Sequence, residues 1–287
     1  MLENLLQKLS MQETGGLFNY SIVVIDNDAT RTAEETINRL SENLDIDIQY
    51  EVEAKNLIPV ARNRAVVLSK GNYIAIIDDD EIPFPNWLLT MYHAIQTFGV
   101  DGGLGPVHPF FKSQPPNWLL KGKFCERPVL RTGTLLNWNQ TRTGNCFIKK
   151  EVFIKGNLFF DERFRTGGSD QDFFKRAMEA GYNFIAVEEA PVYEIVPPER
   201  WKKSYYLKRA LVNGFNSQQY NKDKNSFLRK ILEPARSVIA LISYTLAMPF
   251  FSIIGPHVAM KYLEKGAHHL SRVCALMGIE LIKKRSF

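Results

Sequence analysis

The N-terminal part of the chain alternates between apolar patterns of two periods, one typical of helices and one typical of strands. Residues 2–12 carry leucines at helical spacing, and residues 21–26 form a short apolar run that ends in an acid. Residues 46–52 alternate polar and apolar positions, whereas residues 59–69 begin with the proline that often opens a helix. Strands and helices that alternate at this short spacing predict an α/β fold with a mostly parallel sheet and flanking helices.

A continuous apolar run at residues 73–77 leads directly into the acidic run 78–81, Asp-Asp-Asp-Glu. The apolar run predicts a strand that is buried on both faces, because a surface strand would alternate. Adjacent carboxylates repel each other unless they are solvated or bind a cation. Ligands of open α/β sheets bind at the carboxyl ends of strands, which favours a divalent-metal site over a solvated acidic turn that ends at Pro83 and Pro85.

The pattern continues with further elements up to about residue 196. We predict a helix from 86 to 98, a glycine-rich strand at 100–107, an irregular loop at 108–140, a strand at 143–149, a helix that ends at Gly181, and strands at 183–187 and 192–196. The loop contains several prolines together with Phe110, Phe111 and Trp118. Loops of this length are usually functional or disordered, and the aromatic content argues for function.

Composition limits the classes of protein to which the chain can belong. Its 287 residues are 45% hydrophobic and 12% aromatic, which excludes a disordered protein. The three cysteines, Cys125, Cys146 and Cys274, are far apart and predict neither a disulfide framework nor a zinc cluster, so a reducing compartment fits. The N-terminal residues lack the continuous apolar core of a secretory signal.

The net charge of +5 is distributed unevenly. Residues 200–287 carry sixteen Lys and Arg against four Asp and Glu, so the first 199 residues are net negative. A basic region of this kind predicts contact with an anionic membrane surface or a phosphate-bearing partner. We expect no nucleic-acid partner, because no recognition motif for nucleic acid is present.

Residues 237–260 contain no Asp, Glu, Lys or Arg. The segment is long enough to span a membrane. Three helix-breaking residues interrupt it, namely Pro249, Gly255 and Pro256. Three interpretations of the segment therefore remain open: a membrane span, a kinked interfacial or re-entrant helical pair, and a buried helix that packs on the rest of the chain. Residues 262–282 are amphipathic, and we expect His268 and His269 at the surface rather than as metal ligands.

Four motifs follow each other in a fixed order. They are Val-Val-Ile-Asp26-Asn, Pro59-Val-Ala-Arg62-Asn63, Asp78-Asp79-Asp80 and Gly167-Gly168-Ser169-Asp170-Gln-Asp172. Together they resemble the family 2 glycosyltransferases, an inverting group with the GT-A fold, over residues 17–215. The stretch from Tyr193 to Arg200, followed by Arg209 and Gly214, is similar to the succinoglycan-type β-glucosyltransferase branch.

The resemblance implies a GT-A, Rossmann-like catalytic domain over residues 1–199 that binds a nucleotide sugar. Residues 200–287 then form a basic and apolar helical region that associates with a membrane. The implied reaction is inverting transfer from a nucleotide-diphosphate donor, expected to be a UDP-hexose, to a saccharide or polyprenyl-linked saccharide acceptor. Such transfer serves polysaccharide or glycan biosynthesis at the cytoplasmic face of the cell membrane. The family's first strand has no counterpart before Met1.

The resemblance also assigns roles on the donor side. Asp26 matches the acid that contacts the nucleotide base, and Arg62 near a helix N-terminus can meet the diphosphate with a bidentate fork. Asp80 would bind Mg²⁺ or Mn²⁺, while Asp78 would face the ribose. The remaining predicted substrate-binding residues are Asp79, Asn145 and Trp118. From the local pattern alone, Asp26 could instead be an acid that ends a strand, and Arg62 an exposed helix arginine.

On the acceptor side, Asp170 matches the family's catalytic base. The chain departs from the family at Ser169, where an acid is usual. Ser169 and Asp172 also fit a capping box at the start of a helix, and Asp170 could be an ordinary acid of the first helical turn.

Two other functions remain as alternatives. A sugar-nucleotide pyrophosphorylase would share the sheet and the metal-binding acids, but the N-terminal part lacks a glycine-rich, basic nucleotide loop. A catalytically inactive, membrane-bound adaptor is favoured only by the missing first strand.

Overall fold

The computed structural model describes residues 1–219 and 227–282, and the chain forms two compact units. The first unit comprises Met1–Phe110, Glu126–Arg163 and Ser169–Ile195. The second comprises Phe111–Cys125, Phe164–Gly168 and the chain from Val196 onward. The main border thus lies near the predicted end of the catalytic domain at residue 199, but two earlier segments also belong to the second unit.

Nine strands are present in the described residues of the first unit. They are β1 (Ile22–Asp26), β2 (Ile48–Val52), β3 (Tyr73–Ile76), β4 (Glu81–Pro83), β5 (Gly102–Leu104), β6 (Val107–Phe110), β7 (Cys146–Lys149), β8 (Phe184–Ala186) and β9 (Val192–Ile195). The helices are α1 (Leu2–Leu9), α2 (Glu34–Asn43), α3 (Ile58–Leu68), α4 (Trp87–Phe98), α5 (Asn117–Gly122), α6 (Lys150–Ile154), α7 (Ser169–Glu179), α8 (Lys203–Gln219), α9 (Phe227–Ile254) and α10 (Pro256–Leu276). Short 3-10 turns occupy Trp138–Gln140 and Pro198–Trp201.

The strands form three small sheets. β1 pairs with β2, a second sheet has the order β3-β7-β5-β8, and a third has the order β4-β9-β6. The predicted α/β class is confirmed. Three of the six pairings are parallel and three are antiparallel, because β7 runs against both β3 and β5, and β4 runs against β9. The sheets are therefore more mixed than the alternation of strand and helix predicts.

Two apolar clusters hold the first unit together. In one, α4 buries Trp87 and Met91 among leucines of α1 and side chains of the sheets. In the other, aromatic rings from α6, α7 and β8 pack together, with the rings of Phe153 and Phe173 stacked at a centroid distance of 4.8 Å. This second cluster fixes α7, the helix that carries Asp170, against the rest of the unit.

The segment 108–140, predicted as one irregular loop, contains regular structure. β6 extends into its start, α5 lies within it, and Trp138–Gln140 is a 3-10 turn. Leu119 of α5 is buried in a cluster with Tyr206 and Met260 of the second unit. Elements this short have too few residues to show a hydrophobic period, so long-range packing and not local pattern defines them.

The C-terminal region forms two helices, and of the three residues predicted to interrupt residues 237–260 Pro249 lies inside α9 without ending it. α9 packs against α10, and the chain bends between them at Gly255, where φ is 150°. Within α9, Pro234–Ile254 is long and apolar enough to cross a membrane. Its most apolar 18 residues have a mean hydropathy of 1.9, and only 6% of that stretch is buried. That exposure does not fit a helix buried against the rest of the described chain.

Two details of this region differ from the prediction or lie outside the structure. His268 and His269 are half-buried instead of exposed, and burial lowers the pKa of His268 to about 4. Five of the basic residues lie outside the described residues, namely Lys222, Lys224, Lys283, Lys284 and Arg285.

Candidate active site

The acidic run forms a tight turn between β3 and β4. The Asp78 amide donates to a carboxylate oxygen of Glu81 over 3.1 Å, and the Glu81 amide donates to the Asp78 carbonyl over 3.1 Å. The carbonyl of Asp80 accepts a hydrogen bond from the amide of Ile195 on β9. The turn is thus closed on itself and attached to the third sheet, which sets where the side chains of Asp78, Asp79 and Asp80 emerge.

Glu81 lies inside the protein, although the sequence groups it with three acids that remain at least partly exposed. Its burial and the nearby charge of Asp78 raise the pKa of the Glu81 carboxyl well above its ordinary value. Gly144 passes close to it, so that a Cβ atom at that position would lie 2.6 Å from Oε1 of Glu81 and 3.3 Å from Oδ2 of Asp78. A side chain at position 144 would therefore have to displace the Glu81 carboxyl group.

The structure brings Arg62 next to the acidic turn. Nη2 of Arg62 lies 3.4 Å from Oδ1 of Asp78, and its Cζ atom lies 5.8 Å from the ring centroid of Phe160. The side chain is only 19% exposed. A largely buried guanidinium held between a carboxylate and a ring does not match the exposed helix arginine of the alternative interpretation. The guanidinium group of Arg62 lies between α3 and the residues that follow β3.

Asp26 ends β1, as predicted, and organises the turn that follows. One carboxylate oxygen accepts from the Asp28 amide, and the other accepts from the Ala33 amide and the Tyr50 hydroxyl. Partial burial and the hydrogen bond to Asp26 raise the pKa of the Tyr50 hydroxyl to about 12. Asp26 is buried and its carboxylate accepts three hydrogen bonds within the protein, so its surroundings alone give no support to the predicted contact with a nucleotide base.

Asn145 has a structural position. Its side chain is fully buried; its oxygen accepts from the Trp87 indole over 2.7 Å, and its nitrogen donates to the carbonyls of Pro106 and Ala190 over 2.9 Å each. The amide therefore braces α4 against the segments before β6 and β9. It offers no surface to a ligand, so its position gives no support to the predicted substrate contact.

The two acids at the start of α7 have different surroundings. Asp170 is partly exposed, and one of its oxygens accepts from the following amide, that of Gln171, over 2.9 Å. Asp172 points inward, with a side chain only 12% exposed, and binds Arg176 over 2.8 Å. Burial raises the pKa of Asp172, although the bond to Arg176 opposes that rise. Of these two carboxylates, Asp170 is the more accessible to a substrate.

Trp118 belongs to the second unit. Its ring meets those of Phe124 and Tyr206 edge-on at 5.2 and 5.7 Å, and Nζ of Lys203 lies 5.9 Å from its centroid. The residue is half-buried in this aromatic group.

The acids of the turn fit Mg²⁺ or Mn²⁺. In the described residues no three His, Cys, Asp or Glu side chains converge as a ready-made metal cluster. Mg²⁺ usually needs no such cluster, because it is held by one or two carboxylates together with substrate phosphates and waters. Asp80 and its neighbours provide hard carboxylate oxygens, and one of them, Asp78, lies beside Arg62, a combination that suits a metal–diphosphate group.

Comparison with solved structures defines the fold. TarS from S. aureus in complex with UDP-GlcNAc superposes with a TM-score of 0.53 at 12% identity, over 97% of this chain and 88% of that chain. The complex of TarS with UDP gives a TM-score of 0.51 at 13% identity, over 96% and 88%. This likeness places the chain in the GT-A class, the predicted fold.

The family follows from the sequence. Residues 1–159 match the family model described as glycosyl transferase family 2, and the chain belongs to that family of transferases. It is 30% identical to the succinoglycan biosynthesis protein ExoM of Rhizobium meliloti, over 67% of this chain and 62% of that protein. It is 24% identical to chondroitin synthase of Escherichia coli, over 63% and 31%. The matches thus span less than two thirds of either relative.

The sequence interpretation missed several residues that shape the site. Tyr50 and Gly144 carry no local signal, because each matters through a partner in another element. Arg176 stands four residues after Asp172, a spacing that could have indicated their ion pair. Asn63 stands next to Arg62 in one of the four motifs, but nothing in the pattern indicated what its side chain contacts.

Proposed function

We propose that this protein transfers a sugar, with inversion, from a nucleotide-diphosphate donor to a saccharide or polyprenyl-linked saccharide acceptor. The donor we propose is a UDP-hexose. The observation that carries the proposal is the placement of Arg62 beside the acidic turn at the end of β3, in a chain of glycosyltransferase family 2. The names of the relatives, succinoglycan biosynthesis protein and chondroitin synthase, support a role in polysaccharide or glycan biosynthesis.

On the donor side, the base would contact Asp26, and the ribose would lie toward Asp78 and Asp79. Arg62 would bind the diphosphate, for which the guanidinium fork is well suited. Asp80 would hold Mg²⁺ or Mn²⁺. When bound, the metal would neutralise charge on the leaving diphosphate.

On the acceptor side, Asp170 would act as the general base. The acceptor hydroxyl oxygen attacks the anomeric carbon, the bond from that carbon to the diphosphate oxygen breaks, and the hydroxyl proton passes to the Asp170 carboxylate. Asp172 is engaged by Arg176 and would support the helix instead. The partly exposed position of Asp170 at the start of α7 supports this division of roles.

We place the enzyme at the cytoplasmic face of the cell membrane, with α9 as the contact. Large apolar side chains, 54 to 85% exposed, recur every three or four residues on one side of this helix, and we call them the apolar face of α9: Ile239, Ile242, Leu246, Phe250 and Ile253. Exposed hydroxyls of α9 donate to carbonyls one turn earlier in the helix, as in Ser243, Thr245 and Ser252. Contact with hydrocarbon therefore leaves these donors satisfied.

Charge supports the same placement. Arg236 precedes the apolar face, and Lys261 follows the bend at Gly255; both are exposed. A cationic side chain near an anionic lipid surface contributes about 1 kcal/mol. An anionic bilayer is therefore the partner we propose for this surface.

Nucleotide binding tests the donor and metal assignments. Titrating UDP with and without Mn²⁺ should show an affinity gain with metal of at least about tenfold in the natural protein, because the metal relieves repulsion between diphosphate and acids. Asp80→Ala should lose this gain. Asp47→Ala, which removes an acid exposed at another edge of the unit, should keep it. Equal affinity with and without metal in all three proteins would remove the metal from the account.

A second assay separates the competing functions. Release of UDP from a UDP-hexose, with saccharide acceptors or water, is the result that the proposal predicts. Formation of a UDP-hexose from UTP and a hexose 1-phosphate would indicate a pyrophosphorylase. UDP binding without turnover of any UDP-hexose would favour the inactive adaptor.

A further inference from the structure

The side chain of Asn63 forms a two-way hydrogen-bonded pair with the backbone of one distant residue. Its amide nitrogen donates to the Phe160 carbonyl over 2.8 Å, and its amide oxygen accepts from the Phe160 amide over 2.8 Å. Both bonds are partly buried. A planar amide that satisfies the donor and the acceptor of one residue fixes that residue in distance and in orientation. Phe160 is thereby held against α3.

The same short segment is held by α7 from its other side. Arg176 of α7 donates to the carbonyl of Phe159 over 2.6 Å while it also binds Asp172. The Phe160 ring, which is 2% exposed, lies 4.8 Å from the ring of Phe173 on α7. Residues 159 and 160 therefore connect α3 with α7 through hydrogen bonds and ring packing.

The two connected helices carry the two sides of the proposed reaction. Asn63 directly follows Arg62, whose guanidinium lies over the Phe160 ring and beside Asp78. Asp170 lies in the first turn of α7. The separation of the arginine and the carboxylate thus depends on how residues 159 and 160 are held.

We infer that Asn63 is a positioning residue, which acts through Phe160 to keep the base-bearing helix α7 at the correct distance from Arg62. This inference rests on the proposed function. In-line displacement requires the base, the acceptor oxygen and the leaving group to be aligned, and a displacement of about 1 Å can cost about 100-fold in rate. Donor affinity depends instead on Arg62 and the acidic turn, and the ion pair of Arg62 with Asp78 does not involve Asn63.

The test compares Asn63→Ala with Asn43→Ala. Asn43 is an exposed asparagine whose amide bonds only within α2, so it controls for the loss of an asparagine amide. The measurements are the UDP Kd with Mn²⁺, and kcat and KM for the UDP-hexose per folded molecule, well below the Tm of each variant. We expect Asn63→Ala to lower kcat by about 10- to 100-fold and to leave Kd and KM within about threefold. Asn43→Ala should match the natural protein.

A purely structural role for Asn63 predicts a lower Tm with unchanged kcat per folded molecule, and that result would overturn the inference. An increase in Kd and KM with unchanged kcat would overturn it too, because Asn63 would then serve donor binding. If Asn63→Ala does not fold, Asn63→Leu keeps the approximate shape of the side chain but removes both hydrogen bonds to the Phe160 backbone. It should show the same selective loss of kcat, and normal kcat in this variant would refute the inference.

Failure of this inference is distinguishable from failure of the proposed function. A natural protein that turns over no nucleotide sugar would refute the proposed function. A natural protein that is active, with variants whose kcat is unchanged, would refute only the role of Asn63.

Discussion

At the scale of single residues, the acidic turn depends on a carboxyl group that never reaches the surface. Glu81 is buried, and its carboxyl group accepts a hydrogen bond from the Asp78 amide. Gly144 leaves room for that carboxyl group. Burying a carboxylate beside other acids is unfavourable, so the folded state favours the protonated form of Glu81. The site therefore contains one buried carboxyl group that shapes the turn and three carboxylates that remain at least partly exposed.

This arrangement predicts how the stability of the metal-free protein depends on pH. The pKa of Glu81 is raised in the folded state, so the folded state retains a proton that the unfolded state releases. The natural protein should lose stability as pH rises above the unfolded pKa of about 4.3 toward the folded pKa, by at most about 1.4 kcal/mol per pH unit. Glu81→Gln should not show this loss. Urea unfolding in EDTA between pH 5 and 8 measures it, and a stability difference that does not change with pH would contradict the assignment.

Asn145 gives a second prediction at this scale. Asn145→Ala removes three hydrogen bonds and leaves the carbonyls of Pro106 and Ala190 buried without their partner, which should cost about 3 kcal/mol. Asn157→Ala is the matched control, because Asn157 has a similar positive φ of 47° but is exposed. The control should lose only about 1 kcal/mol. Equal losses in urea unfolding would show that backbone conformation, and not the buried amide, explains the effect.

At the scale of elements, segments with a local signal could be predicted and short paired ones could not. The signal was a continuous apolar run for β1, alternation for β2, the opening proline for α3 and the ending Gly181 for α7. β4 is only three residues long and exists because it pairs with β9 far along the chain. The nearness of Arg62 to the acids agrees with the motif resemblance, whereas the burial of Glu81 and Asn145 depends on neighbours that only the fold brings close.

The apolar face of α9 carries the prediction that belongs to an element. Replacing Ile242 and Leu246 together by Asp should reduce sedimentation with phosphatidylserine vesicles at least about tenfold, because charge is strongly disfavoured in hydrocarbon. Replacing Leu17 and Val67 by Asp is the matched control, since these exposed apolar residues lie in the first unit. The control should sediment normally. A folded α9 variant that still sediments would show that the membrane contact lies elsewhere.

At the scale of the whole molecule, the proposed catalytic residues and the proposed membrane contact lie in different units. The acidic turn, Arg62 and Asp170 belong to the first unit, and the apolar face of α9 belongs to the second. Within the second unit, Asn216 of α8 donates to the carbonyl of Gly167 over 2.6 Å. The C-terminal region thus also holds the glycine pair that directly precedes α7 in the chain.

The central claim is that this protein transfers a sugar with inversion of configuration at the anomeric carbon and uses Asp170 as the base. Asp170→Asn tests this claim most directly. The change keeps the shape of the side chain but removes its basicity. Transfer from the UDP-hexose should fall by at least about 100-fold while the UDP Kd with Mn²⁺ is retained. Asp172→Asn should reduce transfer much less. If transfer survives in Asp170→Asn and is lost in Asp172→Asn, the base is the other carboxylate; if it survives in both, the inverting mechanism proposed for this protein is wrong.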